Sequence, residues 1–202
     1  MSQADKSRAT TDKRERILDG ALKAFARKGF YNTKVSEIAS EAGVADGTIY
    51  LYFKNKDDLL ISLFEDRMEW VIDRLKTELD AVGDSVEERF RRAVELHFQL
   101  AIDEPDLSEF ITVELRQSAK FMKEYKNPKF LDYLRLLDGL VEDGQKQGVF
   151  RADVEPRLLG RAIFGALDEV LLLLTFSRSP NRDVAEMTRQ VTEIFIDGLR
   201  AR

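Results

Sequence analysis

The chain has 202 residues, 44% hydrophobic and 34% charged, which is the balance of a globular protein with enough apolar material for a core and room for one or two domains. It has no cysteine and one histidine, His97, which excludes disulfide scaffolds, thiol catalysis, cysteine-ligated metal or iron–sulfur sites and any multi-histidine metal centre. The formal net charge of -5 is unevenly spread: residues 1–56 hold 11 basic and 7 acidic side chains, net +4, and the remainder is net -9. That is the pattern of a small nucleic-acid-contacting module on a larger acidic body.

The first sixteen residues are polar and charged, without the apolar stretch of a leader, and residues 1–10 read as a disordered tail. Ile17, Leu18, Ala21, Leu22 and Phe25 recur on one helical face, with Gly29 as the stop. Short helices follow over Ser36 to Ala42, ended by Gly43, and over Thr48 to Phe53, introduced by Asp46 as cap and by Gly47. Asn55-Lys56-Asp57-Asp58 and Ser85-Val86-Glu87-Glu88 are capping patterns that open two long helices, to about Leu79 and Asp103. Pro105, Pro128, Pro156 and Pro180 each mark a helix start, where a missing N–H costs nothing. The spacing predicts an all-α chain of about nine helices, divided into 11–56 and 57–202. The longest apolar run, Val170 to Leu174, is far short of the roughly 20 residues that span a membrane. A soluble, cytoplasmic protein without a membrane partner is the expectation.

Residues 35–53 carry the most specific pattern. Two short helices joined by a tight turn need a small residue at their crossing, Ala39, and a residue tolerant of positive φ, Gly43. They also need apolar residues that close the angle, and Ile38, Val44 and Ile49 supply them. This is a helix-turn-helix arrangement. Three of the five tyrosines, Tyr31, Tyr50 and Tyr52, fall in or beside it, with hydroxyls that can donate to phosphates. Thr33 and Thr48 lie at helix starts, where a hydroxyl and free N–H groups suit an anion, and Lys54 and Lys56 come next in the chain.

On these residues the chain resembles the TetR family of bacterial transcriptional regulators over residues 13–60. The likeness is carried by Ile17-Leu18-Asp19-Gly20-Ala21, Phe25, Gly29-Phe30, Thr33, Ile38-Ala39, Ala42-Gly43-Val44, Gly47-Thr48-Ile49-Tyr50, Tyr52-Phe53, Asn55-Lys56 and Leu59-Leu60. The resemblance implies a homodimer that places one helix of each subunit in a major groove of a palindromic, double-stranded operator. It implies DNA contacts from Thr33, Lys34, Ser36, Gly47, Thr48, Tyr50, Tyr52 and Lys56. No arginine in the motif is placed for bidentate guanine reading, so apolar contacts from Ala45 or Leu51 and DNA shape would contribute to specificity.

Further segments, Ala45 to Asp57, Leu60-Ile61-Ser62-Leu63-Phe64, Glu114-Leu115-Arg116-Gln117-Ser118 and Ile163 to Glu169, resemble the branch of that family that represses fatty-acid β-oxidation genes. That likeness implies an effector, long-chain acyl-coenzyme A, and no resident cofactor or metal. An acyl tunnel needs apolar walls and cations at its mouth. Leu107, Phe110, Ile111, Val113, Phe121, Leu134 and Phe164 supply bulk, and residues 116–129 hold five basic side chains against one acid. The candidate site comprises these apolar residues with His97, Phe98, Arg116, Gln117 and Lys120. His97 reads first as a hydrogen-bonded core residue and second as a pocket contact. Arg116 reads as a coenzyme contact or as the partner of Glu114, Asp168 or Glu169.

Ile163, Leu167 and Leu171, with Val191, Ile194 and Phe195, are expected at the subunit interface, on two helices apolar on more than one side. The ligand would release DNA by favouring another separation of the two heads, transmitted along the helix from Lys56 to Leu79. Rival readings are a repressor of the same fold responding to a drug, quorum signal or other lipid, a purely structural helical dimer, and an enzyme. The last is disfavoured by the absence of cysteine, the single histidine and the lack of a glycine-rich phosphate loop.

Overall fold

A computed structural model describes residues 3–114, 126–176 and 183–201, with side chains from residue 12. The chain is all-α. Its helices are α1 (Gln3–Lys28), α2 (Val35–Ala42), α3 (Asp46–Ile49), α4 (Lys56–Val82), α5 (Val86–Asp103), α6 (Pro105–Glu109), α7 (Pro128–Lys146), α8 (Pro156–Thr175) and α9 (Val184–Leu199), with a π-helical segment Phe110–Glu114 directly after α6. The helix α1 takes in most of the stretch expected to be a disordered tail. That stretch has no Gly or Pro and is dominated by residues compatible with a helix.

The ends of the helices follow local chemistry. Asn55 Oδ1 accepts from the Asp58 N–H at 2.9 Å, Ser85 Oγ from the Glu88 N–H at 3.4 Å and Asn127 Oδ1 from the Phe130 N–H at 3.3 Å. The last helix starts at Val184 rather than at Pro180, capped by Asp183, whose side chain accepts from the Glu186 N–H at 3.1 Å. An aspartate acceptor satisfies a free donor, which a proline only avoids creating. For α3 the cap residue is Ala45, so Asp46 stands inside the first turn, where its charge complements the helix dipole.

The chain divides into two compact units, which do not follow a single cut at residue 56. The first comprises Met1–Arg67 and the stretch that begins at Glu109. In it α1 crosses α2 closely: a Cβ on Gly20 would lie 2.9 Å from the Ala42 nitrogen. Ile17, Leu18, Ala21, Phe25, Ile38, Ala39, Ile49, Leu59 and Leu60 form its buried core. The second unit comprises Met68–Ser108 and Asn127–Arg202. Its core gathers Val86, Phe90, Val94 and Phe98 of α5, Val141 of α7, Phe150, Ile163 and Leu167 of α8, and Ile196 and Leu199 of α9. The Arg151 N–H donates to the Leu199 carbonyl at 2.7 Å and the Ala201 N–H to Val149 at 3.0 Å, tying the end of α9 to the turn that buries Phe150.

Among the described residues, no helix is long and apolar enough to cross a membrane, and no group of three His, Cys, Asp or Glu side chains could hold a metal ion.

Candidate functional site

The α2–turn–α3 element is built by three devices. Gly43 takes φ +63° at the end of α2, a left-handed conformation that costs other residues about 1 kcal/mol or more. The Val44 N–H closes the turn on the Ala39 carbonyl at 2.9 Å. Arg16 of α1 donates to the Ala42 and Gly43 carbonyls at 2.6 and 2.9 Å, satisfying the last carbonyls of α2 from outside. Ile38, Ala39 and Ile49 are buried, as their spacing predicts. On the outside, Tyr50 and Leu51 are 57% and 82% exposed, beside exposed Lys34, Ser36, Gly47 and Lys54 and half-buried Thr48 and Tyr52. Leu51 and Tyr50 thus form an exposed apolar pair at the end of the element.

Two residues expected on DNA are engaged inside the head instead. Thr33 is buried, and its hydroxyl lies 2.8 Å from the Gly29 carbonyl and 3.1 Å from that of Ala24. It fixes the α1–α2 turn and offers no free hydroxyl to a phosphate. Lys56 turns inward to the same turn. Its ammonium donates to the carbonyls of Phe30 at 2.7 Å, Thr33 at 3.0 Å and Tyr31 at 3.3 Å, and sits 4.6 Å from the centre of the Phe30 ring. An ammonium has three protons and all three have acceptors here. Burial also pulls its pKa below the usual lysine range. Lys34, by contrast, uses its backbone: its N–H donates to Glu37 at 2.9 Å, while its side chain stays in solvent. Glu37 also pairs with Lys28, and these contacts hold its carboxyl below the ordinary range.

The same turn is held from a third side. Glu114, in the π-helical segment, is buried and accepts from the Phe30 N–H at 2.6 Å. Gly29, at φ +80°, leaves room for it: a Cβ there would lie 3.3 Å from Glu114 Oε2. Phe110, at the start of the segment, is fully buried with its ring stacked on Phe25 at 6.3 Å. Phe110 therefore packs in the head's core. Ile111 and Val113 of the same segment are half-buried.

In the second unit, His97 Nδ1 and Tyr133 Oη are 2.7 Å apart, and the Phe98 and Phe164 rings lie 6.0 and 6.4 Å from the imidazole. Phe130 stacks edge-on against Phe164 at 4.9 Å. Burial pushes His97 down to about 4 and raises Tyr133 beyond its usual range. The imidazole is neutral at pH 7 and the phenol keeps its proton. Phe98 is wholly inside the α5 core, and Leu107 and Leu134 are buried. Arg116, Gln117, Lys120 and Phe121 lie outside the described residues. Of the other expected cations, Lys126 is exposed and Lys129 pairs with Glu69 at 3.1 Å.

Ile163, Leu167 and Leu171 line one face of α8 at a spacing of four and are buried inside the unit, so they have no surface to present to a second copy. Phe195 and Val191 are half-buried against the same core, Phe195 at 6.2 Å from Phe90. Ile194 is 71% exposed, and Leu158, Leu173 and Phe176 join it as exposed apolar residues at α8 and α9.

Comparison with known proteins gives these features a context. Residues 17–63 match the family of bacterial regulatory proteins named after TetR, and residues 64–198 match the C-terminal region of YsiA-like proteins. The chain is 34% identical over 91% of its length to the fatty acid metabolism regulator protein of Bacillus subtilis, covering 93% of that protein. The chain belongs to the TetR family. Two solved structures resemble this TetR-family chain with a TM-score of 0.83. One is the transcriptional regulator FadR of Bacillus subtilis in complex with stearoyl-CoA, 33% identical, covering 92% of this chain and 99% of that one. The other is the fatty acid degradation regulator FadR of Bacillus halodurans, 38% identical, covering 94% and 97%.

Sequence reasoning about this TetR-family head missed two roles. The bond from Glu114 to Phe30 spans 84 positions, and nothing local announces it. The inward turn of Lys56 has a faint signal, since three carbonyls in a turn that begins with a positive-φ glycine need donors from elsewhere.

Proposed function

We propose that this chain is a homodimeric repressor that binds a palindromic operator through two heads and leaves it when long-chain acyl-coenzyme A binds, so that fatty-acid degradation genes are expressed when their substrate is present. The observation that carries the reading is the likeness, at one third identity over nine tenths of the chain, to a fatty acid metabolism regulator and to the stearoyl-CoA complex of a FadR. The exposed Lys34, Ser36, Tyr50 and Leu51 and the half-buried Thr48 and Tyr52 would meet DNA, with the two recognition elements about 34–36 Å apart, one turn of the duplex. The +4 head is a modest electrostatic anchor, and pairing two heads on one operator doubles it.

Residues 57–202 would hold ligand and dimer contacts. His97 and Phe164 would border the acyl chain and Arg116, Gln117 and Lys120 would meet the coenzyme. Ile194 and the other exposed apolar residues of α8 and α9 would bury themselves on a second copy. The protein acts in the cytoplasm by binding alone, without a cofactor, metal or catalysed step. A ligand that prefers the released state tenfold shifts the equilibrium by about 1.4 kcal/mol.

The test is an operator selected by the purified protein from a random duplex pool, titrated with protein with and without stearoyl-CoA, with free coenzyme A and stearate as controls. Stearoyl-CoA should weaken operator binding at least tenfold and the controls should not. Unchanged affinity at saturation would refute the reading.

A further inference from the structure

We propose that Glu114 is a positioning residue for the DNA-binding surface, the group through which the π-helical segment Phe110–Glu114 holds the α1–α2 turn in its DNA-competent form. The inference rests on the repressor reading and adds to it the atom at which the turn is gripped.

Phe30 is held at both ends of its backbone by side chains of opposite charge. The Glu114 carboxylate accepts its N–H at 2.6 Å, and the Lys56 ammonium donates to its carbonyl at 2.7 Å. Lys56 belongs to the head by sequence. Glu114 comes from a stretch that joins the head's compact unit although residues 68–108, between them in sequence, belong to the other unit. The gripped turn runs into Lys34 and Ser36, the exposed start of α2. A buried charge-assisted bond to the amide just before that start sets where α2 begins relative to α1.

The segment that carries Glu114 is a π-helical turn of five residues, for which the α-helical register is the alternative. A π-helical turn closes five residues apart, is intrinsically unfavourable, and persists only where its surroundings demand it. Here the demand is visible at both ends: Phe110 stacked on Phe25, and Glu114 bonded to Phe30. Relaxing the segment to α-helical register winds it more tightly, so Glu114 turns about the helix axis relative to Phe110. With Phe110 kept in the core, that rotation withdraws the carboxylate from Phe30. The segment is thus a two-state element of the kind a ligand can bias, with the DNA-competent state being the one in which Glu114 is engaged.

Three variants test this: Glu114→Ala, Glu114→Asp and Glu114→Gln. Operator affinity is measured without effector, stearoyl-CoA affinity without DNA, and the loss of operator affinity at saturating stearoyl-CoA. Removing an acceptor from a buried amide weakens the positioned state by an amount equivalent to about tenfold. Glu114→Ala, and Glu114→Asp whose shorter side chain falls back from Phe30, should bind operator about tenfold more weakly than the parent. Glu114→Gln keeps an acceptor oxygen and should stay within about threefold. All three should bind stearoyl-CoA like the parent, and the further loss of DNA on adding it should shrink in the alanine and aspartate variants, because part of the release has already occurred. A merely structural role would lower thermal stability without shrinking that response. If Glu114→Ala does not fold, the aspartate and glutamine variants carry the comparison. Parent-like operator affinity and response in Glu114→Asp, or a glutamine variant as weak as the aspartate one, would overturn the proposal. A parent protein indifferent to stearoyl-CoA would sink the ligand reading alone, and the effector-free affinities would still decide the role of Glu114.

Discussion

Lys56 and Lys34 look alike in sequence, two lysines flanking a helix-turn-helix, and structure gives them opposite tasks. Lys34 puts its charge in solvent, whereas Lys56 commits its protons to three carbonyls of the α1–α2 turn. Salt dependence separates them. Lys34→Ala should reduce the slope of log affinity against log salt by about two for a dimer, one for each head, with little change in melting temperature. Lys56→Met should leave the slope unchanged and destabilise the protein by about 1–2 kcal/mol, because it takes the donor from three carbonyls of the turn, two of them partly buried. His97 gives a second prediction. The unfolded imidazole titrates near 6.5 and the folded one near 4, so the unfolded chain takes up the proton first. The contribution of His97 to stability is complete above pH 6.5 and is lost as pH drops toward 4, by about 3 kcal/mol over that window. Urea denaturation at pH 7 and pH 4.5 should show the decline, and His97→Gln should flatten it.

Helix ends were the most legible part of the chain. Ser85, Asn127 and Asn55 each bond a donor three residues ahead, and an interaction that local can be read from neighbours alone. Asp183 obeys the same rule, but Pro180 is the louder signal and lies earlier. The π-helical segment could not be read, because its register depends on Phe25 and Phe30, more than eighty positions away. Likewise, α8 is apolar on several sides, and sequence alone could not say which side faces inward. Structure assigns Ile163, Leu167 and Leu171 to the core. At this scale the turn between α2 and α3 is the most sensitive joint. Gly43→Ala places a Cβ 2.9 Å from the Arg16 guanidinium at φ +63°. It should cost about 1–2 kcal/mol in thermal or urea unfolding, and operator affinity should fall with it as Arg16 loses its seat.

For the whole molecule, a net charge of -5 hides a division of labour between a basic head and an acidic body. The fold class and the family were both legible, since a sustained helical period and many spaced head residues agree with each other. The pairing of two copies is a proposal that one substitution can test. Ile194→Asp alters a residue 71% exposed in the single chain, so the monomer's stability should change by less than about 0.5 kcal/mol. Light scattering coupled to size exclusion should nevertheless report a shift from dimer toward monomer at micromolar concentration, and operator binding should weaken steeply. A dimer that survives this change would move the interface away from that face of α9.

The double hold on Phe30 also leaves a mark that can be seen without DNA or ligand. Amide protons in a short connecting turn normally trade places with solvent deuterium quickly, because nothing shelters them. The Phe30 proton points at a buried carboxylate and can exchange only when that carboxylate lets go. One peptide from this turn, followed by mass spectrometry, would thus act as a clock whose rate counts how often the head loosens.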